Sequence, residues 1–196
     1  MRKMNRRQID SGLIDACRNG DMASFQALFE AYKDRVYSIA YHFSGNADTA
    51  GDITQRVFLK MLTGLKDFRL ESELTTWIYR VVANICVDED RKRRRLVPLG
   101  DGLDLRTLTA RGSMEDRYYR NQIAGAVGQA VAGLKPKLRM PILLKYVEGL
   151  SYEEIAKALD CSMGTVASRL NRGHKLLATK LAHLKNTLNA GSEDAS

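Results

Sequence analysis

The stretch SYEEIAKALDCSMGTVASRLNRG, residues 151–173, contains two short helical patterns with a tight turn between them. Ser151 and Glu154 have the spacing of a capping box, in which each side chain accepts a hydrogen bond from the other residue's backbone N–H. After the turn, either Ser162 or Thr165 can start the second helix. Together these features predict a helix-turn-helix within an α-helical protein.

The second helix of this pair has an outer face without carboxylates. From Thr165 to Lys185 the chain carries five basic residues and no acidic one, a field that attracts the phosphate backbone of DNA. Arginine and asparagine can also bond base edges in the major groove. We therefore expect DNA contacts from this face, although an ordinary solvated helix face is the alternative. The candidate residues are Thr165, Ser168, Arg169, Asn171, Arg172 and Lys175.

The rest of the chain also has helical rather than strand-like periodicity, so we predict an all-α fold. In the helix predicted at residues 21–44, eight apolar residues from Phe25 to Phe43 share one stripe, and Gly45 can end the helix. Helices are predicted near residues 10–19, 21–44, 46–64, 73–93, 114–133, 137–147, 152–159 and 164–188. The side chains expected to face the core in the third helix are Ile53, Val57, Phe58, Met61 and Leu62.

Residues 96–113 break this pattern, since they contain glycines and a proline and lack a helical period. We predict a flexible linker there, with helical domains at residues 1–95 and 114–188 and a mobile tail at residues 189–196. Both domains are basic, and the whole chain carries a net charge of +8 with a pI near 9.5. This balance fits a polyanionic partner such as nucleic acid.

Several classes of protein and site do not fit the sequence. The apolar runs are far shorter than the roughly 20 residues of a spanning helix, so no membrane insertion is expected. Cys17, Cys86 and Cys161 lie far apart without a Cys/His cluster, which indicates neither disulfides nor a metal site and fits a reduced, cytoplasmic compartment. No phosphate-binding glycine loop or nucleophile–base pair is visible. We therefore expect no enzymatic activity, no catalytic residues and no cofactor.

Three segments carry a resemblance to a known family. Residues 148–173 closely resemble the element that reads the promoter −35 sequence in bacterial sigma factors of the extracytoplasmic-function (ECF) group. The motif DITQRVF at residues 52–58 resembles the segment of these factors that docks on RNA polymerase. Residues 68–91, with the motif TWIYR, resemble the part that recognises and melts the −10 element.

This resemblance implies two helical domains, called regions 2 and 4, that bind the RNA polymerase core. Region 2 is expected to open the −10 element and region 4 to read the −35 element, while the factor itself catalyses nothing. The implied partners are core RNA polymerase, promoter DNA and an anti-sigma factor, which holds most members of the family inactive.

The predicted fourth helix places Trp77, Arg80 and Asn84 in one stripe of about two turns, or ~10 Å. An aromatic plane, a cation and an amide at that spacing can stack on, neutralise and hydrogen-bond unpaired bases, although Trp77 also suits a core anchor. The resemblance assigns −10 contacts to this stripe. The basic run that follows suits phosphate binding and consists of Arg91, Lys92, Arg93, Arg94 and Arg95. The implied polymerase contacts are Asp52, Gln55 and Phe58.

Three positions depart from the family pattern. Acidic residues are usual where this chain has Gly51 and Arg56, and Lys or Arg is usual where it has Ala167. The alternative function is a two-domain helix-turn-helix regulator that acts without polymerase docking and uses its first domain for dimerisation or effector binding. A third interpretation is an adaptor that binds a protein through residues 52–58.

Overall fold

The computed structural model describes residues 11–68, 73–96 and 114–182 of the 196-residue chain. Within these ranges the chain is all-α, as predicted, and contains no strand. Its helices are α1 (Ser11–Arg18), α2 (Met22–Ser44), α3 (Ala47–Gly64), α4 (Leu74–Leu96), α5 (Met114–Ala132), α6 (Pro136–Tyr146), α7 (Tyr152–Ala158) and α8 (Met163–Lys180), with a 3₁₀ turn at Leu65–Asp67. The predicted boundaries agree within a few residues, and α8 ends at Lys180. The last part of the helix predicted at residues 164–188, residues 183–188, lies outside the described residues.

Local chemistry explains where the helices begin and end. Gly45, with a φ of 70°, ends α2 in the left-handed conformation that glycine adopts without strain. Ser151 and Glu154 form the predicted capping box at the start of α7. Of the two candidate starts for α8, Ser162 is the cap, because its Oγ accepts a hydrogen bond from the Thr165 N–H at 3.1 Å.

The first domain has its core between α2, α3 and α4. Phe29 of α2 lies against Phe58 of α3, with ring centroids 4.6 Å apart. Leu62 does not face this core as predicted but is 38% exposed. It lies about 100° round α3 from Met61, which is fully buried, and this rotation places it on the solvent side of the helix.

The second domain is built from α6, α7 and α8, with Val166 and Leu170 of α8 facing inward. Gly173 allows α8 to approach α6 closely, since a Cβ at this position would lie 2.5 Å from Cδ1 of Ile142. The turn between α7 and α8 passes through Asp160 with a φ of 49°, a left-handed conformation that aspartate tolerates better than most residues. This packing sets the outer face of α8 toward solvent.

The two domains pack against each other. α2 contacts α5 and α6, and α4 contacts α6 and α7. Buried side chains from both domains belong to one hydrophobic cluster. The predicted linker lies outside the described residues except for Leu96, the last residue of α4, and the predicted tail at residues 189–196 lies outside them as well.

Candidate nucleic-acid interface

The predicted −35 face of α8 is accessible. The buried Val166 and Leu170 hold the opposite side of the helix against the domain core, so the outer side chains are free to enter a groove. The exposed residues on this face are Ala167, Ser168, Asn171, Arg172 and Lys175.

Two predicted members of this face make contacts within the domain. Thr165 is half-buried, and its hydroxyl lies 2.9 Å from Oγ of Ser162 at the helix cap. Arg169 is also half-buried, and its Nη1 donates a hydrogen bond to Sγ of Cys161 at 3.8 Å. These contacts hold the turn against the helix, so Thr165 and Arg169 are less available to DNA than the sequence suggested.

Trp77 lies between α4 and the end of α3. Its ring centroid is 5.3 Å from that of Phe68, and its Cζ2 atom is 3.1 Å from the position that a Cβ of Gly64 would occupy. The side chain is half-buried. Trp77 therefore packs the first domain together, in line with its interpretation as a core anchor, and keeps part of its ring accessible.

The other two members of the predicted −10 stripe have different surroundings. Asn84 is exposed, beside a groove between α3 and α4 that Lys60 and Thr63 also line. Arg80, one turn earlier, contacts the second domain, where its Nη2 donates a hydrogen bond to the backbone carbonyl of Lys157 at 2.8 Å. The sequence did not predict this contact. Within the stripe, Asn84 is therefore accessible, whereas Arg80 is bound to the second domain.

The basic run at the end of α4 is exposed throughout. Arg91 pairs with Asp88 at 3.2 Å, and Arg94 pairs with Asp90 at 2.6 Å. Cations near a helix C-terminus also interact favourably with the helix dipole, which helps α4 to continue beyond its predicted end at Arg93. Because successive residues of a helix point about 100° apart, these charges are distributed around the C-terminal end of α4. The five side chains are Arg91, Lys92, Arg93, Arg94 and Arg95.

The predicted polymerase-docking residues divide in a similar way. Asp52 and Gln55 are exposed on α3, whereas Phe58 is only 6% exposed and packs on Phe29. Phe58 is therefore a core residue rather than a surface contact, because the helix turns it toward α2. Two leucines complete the exposed stripe. Leu59 was not predicted to take part in it, and Leu62 was predicted to face the core. With them, the α3 face consists of Asp52, Gln55, Leu59 (57% exposed) and Leu62 (38% exposed).

Two residues of α3, Arg56 and Gly51, occupy positions that depart from the family pattern. Arg56 forms an ion pair with Glu89 of α4, with Nη1 and Oε2 2.5 Å apart, so its charge is satisfied within the first domain. Gly51 is exposed, and a Cβ there would meet nothing within 4 Å. Neither residue interrupts the fold of α3.

Two of the three cysteine thiols, those of Cys17 and Cys86, are buried. Burial raises the pKa of the Cys86 thiol to about 12, and burial together with the nearby Asp21 raises the pKa of Cys17. Both thiols are therefore protonated and unreactive at neutral pH. In the part of the chain that the structure describes, no group of three or more His, Cys, Asp or Glu side chains could hold a metal ion. Nor does any described helix have the length and apolar character needed to cross a membrane.

Comparison with known proteins identifies the family of this chain. The chain matches the family models of Sigma-70 region 2 over residues 28–96 and Sigma-70 region 4 over residues 124–177. It is 30% identical over 179 residues to the ECF RNA polymerase sigma factor SigW of Bacillus subtilis, which covers 87% of this chain and 96% of SigW. It is 29% identical over 189 residues to the ECF RNA polymerase sigma-E factor of Escherichia coli K12, which covers 92% of this chain and 98% of that protein.

The fold is also similar to that of a solved sigma factor. RpoE of Bartonella quintana, in a co-crystal structure with the anti-sigma factor NepR, matches with a TM-score of 0.63 and 24% sequence identity. The match covers 81% of this chain and 96% of RpoE. The family models, the curated relatives and the fold agree, and the chain belongs to the ECF RNA polymerase sigma factors.

Proposed function

We propose that this ECF sigma factor binds core RNA polymerase and directs it to specific promoters, with α8 reading the −35 element and α4 opening the −10 element. The observation that carries the proposal is the exposed, carboxylate-free face of α8 in a domain that matches Sigma-70 region 4, behind a domain that matches region 2. We assign region 2 to residues 1–95 and region 4 to residues 114–188.

The polymerase-docking surface is proposed to be the exposed stripe of α3, formed by Asp52, Gln55, Leu59 and Leu62. Exposed leucines beside polar groups are typical of surfaces that a protein partner covers. Because Phe58 is buried, its role in docking is to hold α3 in place on α2.

Base reading at −35 is proposed to come from Arg172 and Asn171, whose side chains can form bidentate contacts with guanine and adenine. Lys175 is proposed to bind a phosphate, which positions the helix without specifying sequence. The exposed Ala167 offers only a methyl group, so the phosphate or base contact that Lys or Arg could make at this position is absent.

Strand opening at −10 is proposed to use Asn84, which hydrogen-bonds an unpaired base, and the accessible part of the Trp77 ring about two helical turns away. The basic run from Arg91 to Arg95 binds the phosphates of the same strand. Single-stranded bases suit this combination, because stacking and amide contacts need base faces and edges that a closed duplex hides.

We also propose that a protein inhibitor regulates this factor in the cytoplasm, where the polymerase works. The relative RpoE of Bartonella quintana was solved in complex with the anti-sigma factor NepR. An inhibitor of this kind is expected to cover the α3 stripe and the outer face of α8, because these are the exposed surfaces that the proposed function requires.

Run-off transcription with purified core polymerase, with and without the chain, tests the proposal. The chain is expected to produce transcripts with defined start sites from a subset of promoters of its host. The rival, a helix-turn-helix regulator that acts without polymerase, predicts tight binding of duplex DNA by the isolated chain and no new start sites. That second result would contradict the proposal.

A further inference from the structure

Ala167 presents a methyl group on the outer face of α8. It is the fifth residue of the helix, which begins at Met163, and it is exposed. Its neighbour Val166 is fully buried in the domain core, which fixes the direction in which Ala167 points. In a helix-turn-helix, the N-terminal residues of the second helix contact the base edges. Ala167 therefore belongs to the part of α8 that is expected to approach the bases most closely.

The polar side chains next to Ala167 are engaged within the protein. The Thr165 hydroxyl lies 2.9 Å from Oγ of Ser162 at the helix cap. Nη1 of Arg169 donates a hydrogen bond to a sulfur atom in the turn that precedes the helix, at 3.8 Å. The Ser168 hydroxyl donates to the Thr165 carbonyl at 3.0 Å, so its proton is in use and its oxygen can only accept. These contacts favour an apolar interaction with DNA at Ala167.

About one turn before Ala167, the helix carries Gly164, which is also exposed. The packing of the described residues does not require a glycine there, since a Cβ would meet only Oγ of Ser162, at an ordinary distance of 3.9 Å. Alanine would favour the helix more than glycine does. Glycine suits positions where the backbone approaches a ligand closely. Gly164 therefore allows the start of α8 to lie near the base edges, within reach of the short Ala167 side chain.

Asn171 follows Ala167 by four residues, so the two side chains lie on the same side of α8, about 6 Å apart along its axis. Bases are stacked about 3.4 Å apart along each DNA strand. Side chains with this spacing therefore reach bases that are one or two steps apart. Because asparagine can form a bidentate contact with N6 and N7 of adenine, Ala167 is expected to lie over a base pair close to that adenine.

Thymine is the base that offers an apolar group in the major groove. Its C5-methyl group projects from the base edge, and alanine is one of the residues that contact it. The other bases present hydrogen-bonding groups there, and the methyl group of Ala167 would leave those groups without a partner. A Lys or Arg at the same position would instead favour guanine or a phosphate.

We propose that Ala167 is a specificity-determining residue that selects thymine at one position of the −35 element, close to an adenine bound by Asn171. This inference rests on the proposed function, because it takes α8 as the helix that reads the −35 element. Loss of the methyl contact should weaken promoter binding about fourfold, which corresponds to the usual free energy of burying one methyl-sized group.

The test replaces thymine by uracil, which keeps the O4 acceptor and the base pairing and lacks only the C5-methyl group. A −35 element is first selected from a randomised library by the holoenzyme, that is, core polymerase carrying the wild-type chain. Each thymine of the selected element, on either strand, is then replaced singly by uracil, and the affinity of the holoenzyme is measured by competition binding. At one position, uracil should weaken the wild-type holoenzyme about fourfold. With Ala167→Gly the same replacement should have no effect, because the thymine methyl has lost its partner.

Ala178→Gly is the matched control. Ala178 is an exposed alanine of the same helix, about 16 Å further along its axis. Its replacement has the same cost in helix propensity and should leave the discrimination against uracil at the wild-type level. If circular dichroism shows that Ala167→Gly fails to fold, Ala167→Lys replaces it, because lysine favours the helix. This variant should bind thymine and uracil alike, with a salt dependence increased by about one counterion.

Two results would overturn the role of Ala167. The first is a wild-type holoenzyme that binds thymine and uracil equally at every −35 position, and the second is a discrimination that persists in the folded Ala167 variants. In both cases, a defined −35 preference of the wild-type holoenzyme would leave the sigma function standing. If the holoenzyme selects no −35 sequence at all, the sigma function is refuted, and the role of Ala167 fails with it.

Discussion

Arg80 of α4 donates a hydrogen bond from its Nη2 to the backbone carbonyl of Lys157 in α7, 2.8 Å away. Its Nε is buried and has no hydrogen-bond partner among the described residues. A buried donor without a partner costs about 1–3 kcal/mol, so this contact between the two domains leaves Arg80 incompletely satisfied. If the domains separate on the polymerase, Arg80 is expected to become available one turn from Asn84, where a DNA phosphate can satisfy it.

The exposed stripe of α3 should determine polymerase binding. Asp52→Arg and Leu59→Arg are each expected to weaken the affinity for core polymerase at least tenfold, or about 1.4 kcal/mol, because each places a new cation in the docking surface. The helical fold should remain, since both side chains are exposed. Affinity can be measured by fluorescence anisotropy of the labelled chain.

Met22→Arg provides the control for this experiment. Met22 is an apolar side chain at the start of α2 that is 62% exposed, and it lies outside the proposed docking surface. Its replacement should leave the affinity unchanged. If the α3 variants bind core polymerase as tightly as Met22→Arg does, the docking surface is assigned to the wrong face.

Two neighbouring cations of α8 should have separable roles at −35. Arg172→Ala is expected to lose about 1–3 kcal/mol of discrimination at one base pair, which is the usual contribution of a bidentate contact. Lys175→Ala should instead weaken all sequences alike and reduce the salt dependence by about one counterion. Selection from a randomised −35 library distinguishes them, and an unchanged base preference for Arg172→Ala would remove its reading role.

Two glycines should respond in opposite directions to the same substitution. Gly51→Ala is expected to stabilise the fold by about 1 kcal/mol, because alanine favours the helix and the added Cβ meets nothing within 4 Å. Gly173→Ala should destabilise it by about 1–3 kcal/mol, the usual cost of overpacking, since its Cβ would lie 2.5 Å from Ile142. Urea unfolding of both variants tests the packing of α6 on α8, and a stabilised Gly173→Ala would contradict it.

Features that depend on local chemistry could be predicted from the sequence. The capping box of Ser151 and Glu154 involves residues three apart, and the end of α2 depends on the single glycine at position 45. The outer face of α8 follows from helical periodicity once Val166 and Leu170 are placed inside. The capping box and this periodicity determine which side of α8 is exposed, so the outer face of that helix could be predicted from the sequence.

Features that depend on contacts between distant residues were missed. Arginine is usually a surface residue. Arg139 can be buried because it donates a hydrogen bond to the carbonyl of Phe43, which is distant in sequence. Leu62 is apolar and has the spacing of a core residue in α3. It is nevertheless exposed, because of the way α3 is oriented on α2. Arg80 was predicted as part of a free stripe because its neighbour Lys157 belongs to the other domain.

The central claim is that this chain opens promoters together with core polymerase, and permanganate reactivity of unpaired thymines around −10 tests it most directly. Core polymerase with the wild-type chain should make these thymines reactive, whereas core polymerase alone or the chain alone should not. Asn84→Ala should form the closed complex with nearly unchanged affinity, because the −35 contacts remain, and should open the DNA more slowly. Thymines that stay unreactive with the wild-type chain and core polymerase, on a promoter that the chain protects by itself, would contradict the account.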